Sequence, residues 1–128
     1  MIEIVDIKSP TQEQKVTHIL QLLGIPAHIH GYRYVREAIM MAVEDFKVVN
    51  AITKILYPEI AKKHGTTPSR VERAIRHAIG VFWERRNNEG VASIIGCCMD
   101  VGNGRPTNSE FIATVADKIR LENAANDI

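Results

Sequence analysis

Several large classes of protein are excluded by what this 128-residue chain lacks. Its two cysteines, Cys97 and Cys98, are adjacent. Neighbouring cysteines rarely bridge, and there is no second pair to complete a zinc site, so both read as small buried hydrophobes in a reducing compartment. No apolar run approaches the ~18 residues of a membrane span. The opening MIEIV lacks the basic flank and long apolar stretch of an export signal, so no membrane contact and a cytoplasmic location are expected. No nucleophile–base arrangement and no phosphate-cradling glycine loop is present, and Asn103-Gly104 is only a turn. His28 and His30 lie two apart on a connector with no third ligand nearby, so a surface or hydrogen-bonding role is expected rather than metal. No catalytic residue, metal or cofactor is therefore expected, and the chain does not read as an enzyme.

Strand-type alternation, internal repeats and low-complexity tracts are absent too. What remains is helical periodicity broken by short turns, which predicts an all-α fold of about six helices. Residues 1–10 end at Pro10 and read as a linker or frayed tail, with one domain over 11–128. Helix one is expected from about Thr11 to Leu23, stopped by Gly24, and helix two from about Tyr32 to Phe46. Helix three is expected to start near Asn50 as its cap, with Pro58 kinking it or opening a new helix that ends at His64-Gly65. Thr67 and Pro68 supply an N-cap and first helical residue for a helix running to about Arg86. A short apolar helix follows over about Val91 to Met99, and Thr107-Asn108-Ser109-Glu110 forms a capping box for the last helix, to about Asn123.

The segment from Tyr57 to Ile79 carries the chemistry. In a helix-turn-helix a small residue on the first helix admits the second, a glycine in the turn takes a left-handed conformation, and an apolar residue on the second helix locks the pair. Ala61, Gly65 and Val71 stand at those offsets, with Ile60 and Ala74 at the other buried positions. At about 100° per residue, Val71, Ala74, Ile75 and Ala78 fall on one side of the second helix. Ser69, Glu72, Arg73 and Arg76 fall on the other. Arginine is the usual bidentate reader of guanine, and glutamate can accept from the cytosine amino group. From Lys62 to Arg86 there are seven Lys or Arg and two acids, so this unit carries +5 while the whole chain carries +1. Positive charge is thus concentrated where phosphate binding needs it. A helix that merely solvates a surface would mix signs, with Glu–Lys pairs four apart. Thr66, Thr67, Ser69 and the helix N-terminus can hold a phosphate, and so can Lys62 or Lys63. Trp83 lies beyond the groove-facing part and is assigned to core or interface. A rival reading is a helical protein-interaction domain whose basic helix grips an acidic partner.

The runs from Leu56 to Lys63 (LYPEIAKK), Ser69 to Ile79 (SRVERAIRHAI) and Pro106 to Ala113 (PTNSEFIA) resemble the C-terminal effector domain of the stage 0 sporulation protein A family. Gly24 to Ile29 (GIPAHI) and Gly31 to Ile39 resemble it as well, so the likeness covers about Leu20 to Leu121. It implies a six-helix domain that binds double-stranded DNA boxes containing TGTCGAA. Glu72, Arg73 and Arg76 would read bases, and Lys62, Thr67, Ser69, Arg70 and His77 would lie near the backbone. Such domains bind tandem boxes as dimers and activate some promoters while repressing others. The stretch containing Arg86, Asn88, Gly90, Ala92, Ile95 and Met99 would touch the RNA polymerase sigma factor, although Glu84 to Gly90 (ERRNNEG) departs from the family pattern. The resemblance also implies a phosphorelay receiver domain preceding the effector. Nothing here is long enough to be one, so the chain is expected to be the effector domain alone, with DNA binding independent of a phosphate donor.

Overall fold

The computed structural model describes residues 11–85 and 104–126. Within them the chain is all helical. Helix α1 spans Gln12–Leu22, α2 His30–Glu44, α3 Tyr57–His64, α4 Pro68–Glu84 and α5 Asn108–Asn126. A 3-10 turn over Phe46–Asn50 and a π turn over Ile52–Leu56 join α2 to α3. The expected linker over 1–10, the helix over 91–99 and the cysteine pair lie outside the described residues.

Local chemistry sets the boundaries. Thr11 and Gln14 form a reciprocal capping box at the start of α1, with bonds of 2.8 and 3.1 Å. At its end Gly24 turns left-handed (φ 82°), and the amides of Gly24 and Ile25 close back on the carbonyls of Gln21 and Leu20. That is a Schellman closure, and it drives Ile25 into the core. Helix α2 begins two residues earlier than the periodicity suggested and stops at Glu44. Asn50 is not a cap: it ends the 3-10 turn, which is opened instead by the Asp45 carboxylate accepting from the Lys47 amide at 3.2 Å. Pro58 accounts for the π turn before it. Proline has no amide proton and its ring crowds the carbonyl four residues back. A widened turn, in which the Leu56 and Tyr57 amides reach five residues back to Ala51 and Ile52, relieves that crowding and lets α3 continue.

Helix α2 is the centre of the domain, packed against α1, α4 and α5. Val35, Ala38, Ile39 and Ala42 are wholly buried on it, and the two alanines let the neighbouring helices close in. Helix α5 seals the opposite face: Phe111 meets Phe82 of α4 with ring centroids 5.1 Å apart. Arg120 lies over the Phe46 ring and donates to the Val43 carbonyl at 2.9 Å, which satisfies an orphan acceptor at the end of α2.

Candidate nucleic-acid interface

Helices α3 and α4 form the expected helix-turn-helix. Gly65 sits in the left-handed region (φ 64°, ψ 39°), a conformation disfavoured for residues with a Cβ. Ala61 and Val71 are buried on either side of the turn, Ile60 beside them, and Ala74 is half-buried against the core. Thr67 caps α4 by accepting from the Arg70 amide at 3.2 Å, with Pro68 in the first turn. The buried stripe of α4 is Val71, Ile75, Ala78, Ile79 and Phe82. Trp83 is half-buried and meets Phe82 edge-on.

The outward side of α4 is a polar ridge. Ser69, Arg70, Arg73, Arg76 and His77 are exposed, and Glu72 is partly so. The helix does hold one opposite-charge pair four residues apart: the Arg76 guanidinium donates through Nε and Nη2 to a single Glu72 carboxylate oxygen, the Nε bond being 3.0 Å. The two side chains expected to act as separate readers therefore form one unit. That bond holds the Arg76 guanidinium above its ordinary pKa. Of the adjacent lysines, Lys63 is engaged with Glu37 of α2 at 2.6 Å, whereas Lys62 is exposed with no acidic partner among the described residues.

A cleft lies on each side of the ridge. On the α5 side the lining includes Lys54, Tyr57, Glu72, Arg76, Arg105 and Asn108. Asn108 is buried there, donating to the Tyr57 hydroxyl at 2.9 Å and to the Glu72 carbonyl at 3.1 Å. Burial raises the Tyr57 phenol above its ordinary pKa of 10.0, against the opposing effect of the Asn108 bond, so it stays neutral beside the amide. Arg105 donates to the Arg76 carbonyl at 3.2 Å. Two donors from the α5 side thus strap two carbonyls one turn apart on α4. On the α2 side the cleft is lined by His28, His30, Arg70, Arg73 and His77 among others. Its floor is a main-chain contact. A Cβ placed on Gly31 would fall 2.1 Å from the Ala74 carbonyl oxygen and 2.9 Å from its carbon.

Asn108, Arg105 and Gly31 were not singled out by the sequence. Asn108 stands inside a capping box, which the structure retains (Thr107 amide to Glu110, 2.8 Å; Glu110 amide to Thr107 hydroxyl, 3.1 Å), and that role masked its second one. Gly31 reads as the last residue of a connector, where a glycine is taken for a turn residue, but it lies in the first turn of α2. Among the described residues no three side chains come together as metal ligands, and no helix is long and apolar enough to cross a membrane. Arg86, Asn88, Gly90, Ala92, Ile95 and Met99 lie outside the described residues. A capped helix-turn-helix bearing an arginine-rich outward ridge matches a known pattern along most of its length: residues 16–119 match the family described as sporulation initiation factor Spo0A C terminal, and the chain belongs to that family of DNA-binding sporulation effector domains.

Proposed function

We propose that this domain reads TGTCGAA-type boxes in double-stranded DNA by laying the ridge of α4 in the major groove. The observation that carries the reading is the exposure of Arg73 and Arg76 beside Glu72 on the outward side of a helix whose opposite side is core. The B-DNA major groove is about 12 Å wide and admits one α-helix. Arg73 is the first candidate for bidentate contact with guanine. Glu72 and Arg76 enter as a pair: the carboxylate restrains the guanidinium, so less side-chain freedom is lost when it meets a base. Lys62, Thr67, Ser69, Arg70 and His77 surround this ridge and supply backbone contacts. Two copies bind tandem boxes, activating or repressing according to where the boxes lie, and the segment containing Arg86 to Met99 is the candidate contact for the sigma factor.

Fluorescence anisotropy with a TGTCGAA duplex and a scrambled duplex tests the reading. Arg73→Ala should cut the ratio of the two affinities by roughly 5- to 150-fold, the range for one bidentate base contact. Equal affinity of the wild-type chain for both duplexes would remove the claim of specificity. No duplex binding at physiological salt would favour an acidic protein partner.

A further inference from the structure

His28, just before α2, and His30, its first residue, are unexplained by base reading, yet the fold brings them to the recognition helix. His28 and His30 line the same cleft as Arg70, Arg73 and His77, from the opposite wall. All three histidines and both arginines are exposed. The other lining residues are Ile29, Gly31, Tyr34, Thr66 and Ala74, so among the described residues no acid lines the cleft to offset the charge of Arg70 and Arg73. The two walls are held at fixed separation, because Gly31 at the start of α2 touches the main chain of Ala74 on α4. Helix α2 also starts without a side-chain cap, so its positive end adds to the field in the cleft.

Resting on the reading of α4 as the groove-bound helix, we propose that His28 and His30 form a second DNA-contacting wall, gripping a backbone phosphate of the duplex between themselves and the Arg70–His77 side of α4. The occupant is the duplex backbone because the cleft is continuous with the ridge through Arg73, which belongs to both. The chemistry suits a phosphodiester: imidazole N–H and guanidinium groups donate, and no acceptor-only side chain among the described residues lines the cleft to compete. Contacts of this kind position the protein and carry no sequence information. The wall therefore contributes affinity to every duplex and nothing to the choice between them.

The test is anisotropy on the full chain with His28→Ala, His30→Ala and the double variant, each checked for an unchanged thermal transition. The double variant should bind both the box and the scrambled duplex about tenfold more weakly, with their ratio unchanged. A scan with neutral methylphosphonate linkages should reveal a backbone position where wild type loses affinity and the double variant does not. Unchanged affinity on both duplexes, a loss confined to the box, or identical methylphosphonate profiles would each overturn the proposal. So would displacement of DNA by millimolar inorganic phosphate at constant ionic strength, which would reassign the cleft to a free anion. If wild type fails to prefer the box while the double variant still loses affinity on both duplexes, base reading is refuted and the wall stands.

Discussion

Two glycines, Gly31 packed against α4 and Gly80 within it, should respond oppositely to the same substitution. Gly31→Ala places a methyl 2.1 Å from the Ala74 carbonyl oxygen and 2.9 Å from the Ala78 Cβ. Contacts that close require the α2 and α4 main chains to part, since no rotamer of either helix removes a backbone oxygen. Overpacking of this kind costs about 1–3 kcal/mol. For a chain of this size each kcal/mol lowers the thermal midpoint by roughly 3–5 °C, so a fall of roughly 3–15 °C is expected in a calorimetric or circular-dichroism melt. Gly80→Ala is the control. Among the described residues its methyl meets only the end of the Arg105 side chain, at 2.8 Å, and that chain can swing away. A glycine in a helix interior costs roughly 0.5–1 kcal/mol relative to alanine, so Gly80→Ala should be neutral or stabilising despite weakening the Arg105 strap. DNA affinity should drop in Gly31→Ala, where the ridge is displaced, more than in Gly80→Ala. If Gly31→Ala melts like wild type, or if Gly80→Ala proves the more damaging of the two, the close helix approach does not hold the ridge as described.

Further outcomes follow from the same geometry. Asn108→Ala removes one buried and one part-buried hydrogen bond and should destabilise by about 1–3 kcal/mol, while the double variant with Tyr57→Phe should lose less than the sum in a denaturant cycle, because the two share one bond. Lys62→Ala should weaken binding to all duplexes and lower the slope of log affinity against log salt by about 0.9. Lys63→Ala should change that slope less, its ammonium being engaged with Glu37; equal slopes for the two variants would contradict this division. With its phenol pKa raised on folding, Tyr57 keeps its proton in the native state above pH 10.0, where the unfolded chain has released it. Stability should therefore fall from that pH upward, and denaturant titrations should show a shallower fall in Tyr57→Phe.

Much of the fold and part of the site were legible in the sequence, because they depend on neighbours in the chain. Thr67, Pro68 and Gly65 act within one turn of themselves, so their types and spacing were enough to place the start of α4 and the turn before it. Period alone placed Val71, Ile75 and Ala78 on the buried side of α4, while Ala74 is only half-buried and Ile79 and Phe82 extend the stripe. Asn50 misled because a good capping residue is only a local preference, and Pro58 eight residues on reshaped the backbone into a π turn opened by Ala51. The pairing of Glu72 with Arg76 follows helical spacing and was available, but the count of charges along the segment hid it. Gly31 against Ala74, Lys63 on Glu37 and Asn108 on Tyr57 join residues 26 or more positions apart, and no local pattern announces such meetings.

Asn108 has a bearing on how far this reader can be cut down. Its amide lies 51 residues from Tyr57 and 36 from Glu72, yet it fastens both halves of the helix-turn-helix to α5. A peptide ending at Glu84 would keep every residue of the motif and lose the donors that Asn108 and Arg105 bring to α4, along with the Phe111 ring against Phe82. The motif is contiguous in sequence but not autonomous in space. Its hydrogen-exchange protection should rise and fall together with that of α5, as one cooperative unit rather than a transplantable module.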